Sequence, residues 1–275
     1  MPQPTIVIPV FDAFDALAPC LDSVQRTAPQ ARVVVVDDAS RDERVTALLD
    51  AWARRSEHHE LARFRHNRGF VRAANHGLVA CSGDVILLNS DTRVTSGWLD
   101  ALSRCLDSDP EIATATPWTN NGEVASFPDF CKANPVPADP EVLARAAAAS
   151  KRPGYPDLPT AVGFCMAIAR RAIEAIGLFD ETAFGRGYGE ENDFSLRAAA
   201  AGMRNVLCDD AYVVHLGGQS FGPLGLRPDE HSMQRLLRKH PDYLATVSAF
   251  IAADPLAGRR AEFQQALDRA RRGMG

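Results

Sequence analysis

The stretch RVVVVDD, Arg32 to Asp38, sets four valines in a row and closes them with two acids. A continuous apolar run of this length reads as a strand buried on both faces, the condition of a parallel sheet covered by helices on each side. Working outward, TIVIPV (Thr5–Val10) reads as a preceding strand, and Leu17, Cys20, Leu21 and Val24 recur between the two at helical spacing. After it come a helix in ERVTALLDAWARR, a short strand in LARFRH (Leu61–His66) and a helix in GFVRAANHGLVACSG, ended by Gly83. A further buried strand follows in DVILLNSD, then a helix in SGWLDALSRCLDSD opened by Ser96. Repeated β-α-β units predict a parallel sheet with helices on both faces. Ligands of such sheets bind outside the carboxyl ends of the strands. Here those ends carry PVFDAF, DDAS and NSDT, so the polar groups stand where a site is expected.

The 275 residues are enough for a sizeable α/β core. A formal charge of −5 gives no general attraction to nucleic acid. No apolar run approaches the roughly 20 residues that span a bilayer. The first residues run directly into a strand without the basic start and apolar core of a signal peptide. Cys20, Cys81, Cys105, Cys131, Cys165 and Cys208 form no CxxC pair and read as reduced thiols, which fits a cytoplasmic location and neither a zinc site nor a disulfide frame.

Beyond Pro117 the composition shifts to Pro, Asn, Asp and Ala as far as about Pro159, with one helix in DPEVLARAAAASK. A connection of that length suggests a binding loop or lid. TAVGFCMAIARRAIEAIG then gives a strand and a short helix, ENDFSLRAAAAG a helix closed by Gly202, and AYVVHLGG a strand ending at His215. The tail from about Pro228 reads as amphipathic helices, and there is no internal repeat.

The first strand is followed by PVFDAF, which has no glycine. Dinucleotide oxidoreductases and methyltransferases need a glycine-rich turn there so that their cofactor can approach the backbone, and both are disfavoured. GxxxxGK[ST] is absent as well, which excludes a P-loop. IVIPVFDA, VVVVDDAS, NRGFVRAANHGL and GDVILLNSDT, followed by GYGEENDFSLRA and VVHLGG, resemble in that order the family 2 glycosyltransferases of GT-A fold, inverting enzymes that use nucleotide sugars. The resemblance runs from about Thr5 to Gly218, and NNGE, AVGFCM and FGRGYGEENDF are most similar to bacterial surface-polysaccharide transferases, rhamnosyltransferase-like members among them.

The resemblance implies a division into a GT-A domain, 1–227, with a nucleotide-sugar half (1–116) and an acceptor and catalytic half (117–227), and a helical extension, 228–275. It implies that Asp38 takes the N3–H of uracil or thymine between walls formed by Pro9 and Phe11. Asp12 stands where the family often has Asn, and Arg68 and Arg72 are candidates for base or phosphates through their forked donors. NSD (Asn89, Ser90, Asp91) occupies the place of the family's DxD motif, with Asn89 at its first Asp. One carboxylate, Asp91, and the strand-end His215 are then the expected ligands of a divalent cation on the diphosphate, Mn2+ or Mg2+.

Glu190, Glu191 and Asp193 share a helix start, where the macrodipole favours acids. Asp193 lies four residues before Arg197, which explains it as an i,i+4 pair. Glu190 and Glu191 differ by about 100° around a helix, so they cannot both point one way. The resemblance places the general base on Glu191 and leaves Glu190 to orient the acceptor or support the site. On the acceptor side, Trp118, Asn120 and Asn121 read as sugar-stacking and hydrogen-bonding groups or as packing, and Gly187 and Tyr188 as a loop that admits a sugar or as an ordinary loop.

The expected partners are a nucleotide-sugar donor and a glycan or lipid-linked saccharide acceptor, with no nucleic acid. Arg259, Arg260, Arg269, Arg271 and Arg272 in the tail form a solvated helix face or dock peripherally on anionic lipid at the inner face of the membrane. Two other readings remain: a nucleotidyltransferase of related sheet, which would show a glycine- and basic-rich phosphate loop after the first strand, and a non-catalytic glycan-binding module.

Overall fold

The computed structural model describes residues 3–149, 153–217 and 230–272. Four strands, β1 (Thr5–Val10), β2 (Val33–Asp37), β3 (His59–Arg63) and β4 (Val85–Leu88), are connected by α1 (Phe14–Thr27), α2 (Glu43–Ala53) and α3 (Phe70–Val79). They form the expected parallel block β3-β2-β1-β4. The short edge strand β5 (Thr92–Val94) and α4 (Trp98–Ser108) lead to β6 (Ile112–Trp118). After α5 (Pro140–Ala148) come β7 (Cys165–Ile168), α6 (Arg170–Ile176), α7 (Glu181–Phe184), α8 (Glu190–Ala200) and β8 (Arg204–His215). The tail is α9 (Glu230–Lys239), α10 (Tyr243–Ala253) and α11 (Ala257–Arg272).

The eight strands make one sheet in the order β3-β2-β1-β4-β7-β6-β8-β5. This is the expected mostly parallel sheet flanked by helices, with a parallel pair β6–β8 beyond the first block. β7 runs antiparallel to both β4 and β6, and β5 antiparallel to β8. The 116/117 boundary falls inside β6, so the two halves share a sheet. The boundary at 227/228 and Gly218 of the last motif lie outside the described residues.

Helices α1, α2 and α4 cover one face of the sheet through Leu17, Leu49, Trp52 and Leu102. α3, α6 and α8 cover the other through Val71, Leu78, Ile173 and Phe194, joined by Leu236 of α9. A third cluster packs α5 and α11 against Trp118, Phe127 and Tyr212. Burial on both faces is what the all-apolar strands β1, β2 and β4 require.

Three local expectations shift for physical reasons. β3 begins at His59 and ends at Arg63, because its partner β2 runs only from Val33 to Asp37. α3 ends at Val79, before Gly83. α4 starts after Gly97 at φ 77 without a side-chain cap, while the Ser96 N–H donates to Glu141 at 3.1 Å instead of Ser96 capping the helix.

Candidate functional site

The register of β1 with β2, Val10 opposite Asp37, brings two strand ends side by side, and their acids organise the loops beyond them. Asp12 sits at φ 54, donates its N–H to Ser40 Oγ and accepts from the Arg41 and Asp42 N–H groups at 2.6 and 3.0 Å. Asp42 in turn caps α2. Asp12 is therefore a clamp on the loop after β2, and its carboxylate is held by backbone donors. Asp37 accepts from the Ser40 N–H and pairs with Arg63.

Asp38 is 3 % exposed and accepts from the N–H groups of Arg68 at 2.6 Å and Gly69 at 2.8 Å. Burial pushes its pKa up against the pull of those donors. Pro9 is buried in β1 past the last β1–β4 pair, Val7 with Leu87, where its missing N–H breaks no ladder bond. Phe11 is half-buried beyond the strand end, under the Arg41 guanidinium.

Arg68 lies over the Phe64 ring. Arg72 pairs with Glu181 at 3.1 Å, which links α3 to α7.

Asn89, Ser90 and Asp91 form the turn between β4 and β5. The Asn89 N–H donates to Phe164 O, its carbonyl accepts from Thr92, and its buried Oδ1 has no hydrogen-bond partner among the described residues. Ser90 and Asp91 are buried. The β5–β8 register places Thr92 opposite His215 and so brings that ring over the turn.

His215 Nδ1 lies 2.6 Å from the Asn121 carbonyl and donates to it, and Nε2 faces Asp91 Oδ1 at 3.5 Å. Asn120 brackets the His215 backbone with two hydrogen bonds, and Phe164 stacks on the ring at 5.2 Å. Burial disfavours the charged imidazole, but the Asp91 carboxylate and the Asn121 carbonyl outweigh it and hold the pKa above its ordinary value. Among the described residues no group of three or more His, Cys, Asp or Glu is placed to hold a metal. A cation here would rest on Asp91, His215 and oxygens of its substrate.

Glu190 and Glu191 open α8 after Gly189, whose φ of 101 and 3.0 Å clearance from Phe184 require glycine. Glu190 is 5 % exposed with Oε2 unpartnered. Glu191 is half-buried and accepts from the Gly189 N–H at 3.3 Å and Asn192 Nδ2 at 3.2 Å. Burial, then the neighbouring carboxylate of Glu191, drives the Glu190 pKa well up; burial and the charge of Glu123 raise that of Glu191. Both carboxyls are thus held above their ordinary range, and Glu191 is the more accessible member of the pair.

Gly163 and Phe164 tie the two clusters together. A Cβ on Gly163 would stand 3.5 Å from Glu191 Cγ, while the next residue, Phe164, stacks on His215. Tyr188 has its phenol pKa raised by burial and by the charges of Glu190, Asp91 and Glu191. Gly187, at φ 117, turns the loop beneath it.

Trp118 is 0 % exposed, with Phe127 and Phe263 against its ring, so it offers no face to a sugar; this corrects its assignment to acceptor stacking. Asn121 acts through its carbonyl on His215. Sequence reasoning missed Glu123, whose charge raises the Glu191 pKa, and Lys239 and His240, which bind Asp193 from a distant segment. Glu123 carried a signal in NNGE, but the tail residues carried none. Arg259 pairs with Asp209 and Glu262, and Arg260 with Asp254, so these two are not free for lipid; Arg269, Arg271 and Arg272 are exposed. All six cysteines are free, and Cys131 alone is exposed. No described helix is long and apolar enough to cross a membrane.

A curled sheet whose strand ends gather an acid-bound loop, an Asp–His pair and a glutamate dyad is the framework of the GT-A transferases. The chain belongs to glycosyl transferase family 2, which it matches over residues 5–177. It is 32 % identical over 224 residues to the pre-mycofactocin glycosyltransferase of Mycobacterium tuberculosis, covering 77 % of this chain and 42 % of that protein. The chain thus spans less than half the length of the curated relatives it matches.

GalNAc-T7, solved with UDP, GalNAc and Mn2+, superposes with a TM-score of 0.67 at 17 % identity over 96 % of this chain and 54 % of that one. The mannosyltransferase PcManGT from Pyrobaculum calidifontis, solved with GDP-Man and Mn2+, gives 0.56 at 18 % identity over 98 % and 80 %. These likenesses bear on the fold.

Proposed function

We propose that the protein is a metal-dependent inverting glycosyltransferase that moves a sugar from a UDP- or dTDP-type donor to an acceptor hydroxyl. The observation that carries this reading is the pairing of two unlike sites across Gly163–Phe164: an Asp91–His215 pair, and a glutamate dyad of which Glu191 is the more accessible member. The carboxyl ends of β1 and β2, with Phe11 and the loop held by Asp38, would receive the nucleotide. Asp91 and His215 would hold a divalent cation, Mn2+ or Mg2+, with Asn89 beside them; charge neutralisation of the leaving diphosphate is what that cation supplies.

The acceptor oxygen attacks the anomeric carbon from the face opposite the diphosphate. The carbon–oxygen bond to the diphosphate breaks, and the hydroxyl proton passes to Glu191. Glu190, keeping its own proton, donates to Glu191 and holds its orientation. Tyr188 and Gly187 line the acceptor approach. The acceptor is a glycan or lipid-linked saccharide, or a molecule like the pre-mycofactocin for which the mycobacterial relatives are named. A cytoplasmic enzyme would meet anionic lipid through Arg269, Arg271 and Arg272 of α11.

A panel of nucleotide sugars with Mn2+ or Mg2+ tests the reading by thermal shift and by product analysis. A cation-dependent shift with a UDP or dTDP sugar, followed by transfer with inverted anomeric configuration, is expected. Release of a nucleotidyl product, or no cation-dependent shift with any donor, would contradict it.

A further inference from the structure

We propose that the C-terminal extension works as part of the catalytic site: Lys239 and His240, at the end of α9, are positioning residues that staple the glycine loop and the glutamate dyad in their working geometry. This rests on the assignment of the dyad above. Asp193, 0 % exposed and two residues after Glu191, is the hub. It receives Arg197 Nε at 2.9 Å from its own helix, and Lys239 Nζ at 2.8 Å and His240 Nε2 at 2.9 Å from the extension. Arg197 also donates to the carbonyls of Ile176 and Leu178. The i,i+4 pair expected for Asp193 is therefore one arm of a three-armed junction.

Lys239 reaches further. Its Nζ lies 2.7 Å from Asp180 Oδ2 and 5.6 Å from the centre of the Phe184 ring. Asp180 caps α7, and Phe184 is its last residue, the ring on which Gly189 closes. One ammonium thus grips both ends of the segment 180–193, which contains the glycine loop and both glutamates.

The loop's other side is fixed from the donor half. A Cβ on Gly69 would stand 2.4 Å from the Gly185 carbonyl, and the Gly69 N–H is bound by Asp38. Asn75 of α3 holds Phe179 and Glu181 by three hydrogen bonds. The segment is therefore clamped between the nucleotide end of the sheet and α9. A small shift of Glu191 against the anomeric carbon reduces rate steeply without weakening donor binding, so loss of the staple should appear in turnover.

The test compares the wild-type chain with Lys239→Met, Lys239→Arg and Asp180→Asn, reading transfer kinetics, nucleotide affinity with Mn2+, and amide exchange over residues 185–193. Lys239→Met leaves Asp193 paired with Arg197 and His240. Asp180→Asn keeps a competent helix cap while removing one grip, which covers the case in which Lys239→Met fails to fold. Expected are at least a tenfold loss of kcat in Lys239→Met, donor KM and nucleotide affinity within about twofold, faster exchange over 185–190, and recovery of most turnover in Lys239→Arg. Asp180→Asn should show the same pattern to a smaller degree. Unchanged kcat and exchange in Lys239→Met and Asp180→Asn would overturn the staple. If the wild-type chain transfers no sugar, the functional reading fails by itself, and the exchange arm still decides whether the staple holds the loop.

Discussion

The acids at the ends of β1 and β2 and those that open α8 are all buried or half-buried, yet their surroundings differ. Asp12 and Asp38 each accept two backbone N–H bonds, and Asp37 has one together with the Arg63 guanidinium. Glu190 and Glu191 have each other, one backbone N–H and an amide, and neither makes an ion pair among the described residues. The first group builds loops; its charge is used up in holding backbone donors that would otherwise be buried without partners. The second group keeps unspent capacity, which a fold concerned only with stability would not retain. Asp91, buried and paired with His215 Nε2, stands apart from both groups.

That contrast can be broken by substitution. Asp38→Ala should be the most damaging to stability, by about 1.5–3 kcal/mol, since two buried N–H groups lose a charged acceptor. Chemical denaturation checks this, and a neutral result would remove Asp38 from the loop-building group. Asp91→Ala and His215→Ala should each weaken Mn2+-dependent nucleotide binding by at least about tenfold, the scale of loss seen even for groups behind a metal ligand. Calorimetric titration with unchanged affinity would move the pair to the structural group.

Glu190→Gln should have the smallest effect and the opposite sign: a rise in melting temperature of about 2–4 °C at neutral pH, the response of a domain of this size to about 1 kcal/mol. The sign follows from its raised folded pKa. The wild-type carboxyl costs nothing below the ordinary glutamate range near about 4.3, and the cost builds as pH rises until the folded group ionises. The gain of the variant should therefore vanish in acid and be complete above the raised value. Melting curves across pH would show a flat difference if the pair is not strained.

Much of this was legible in local sequence. Apolar runs gave β1, β2 and β4, and the strand-end rule located PVFDAF, DDAS and NSD. What was not legible depends on pairing between distant segments. The antiparallel insertion of β7 leaves no trace in CMAI, because a buried strand has the same composition in either direction. Trp118 reads equally as a sugar platform or as core, and only the arrival of Phe263 from α11 decides for core. Asp12 reads in sequence only as a departure from the family's Asn, and the loop it clamps through the Arg41 and Asp42 N–H groups lies 29 and 30 residues away. Lys239 and His240 reach Asp193 from the far side of a long connection, and no spacing rule links them.

The claim on which the account turns is that Glu191 is the base and Glu190 its support, and steady-state transfer by Glu191→Gln beside Glu190→Gln tests it most directly. The account predicts a loss of about 10²–10⁴ in kcat for Glu191→Gln with nucleotide affinity unchanged, and a distinctly smaller loss for Glu190→Gln. Near-wild-type turnover in Glu191→Gln, with turnover abolished in Glu190→Gln, would contradict it.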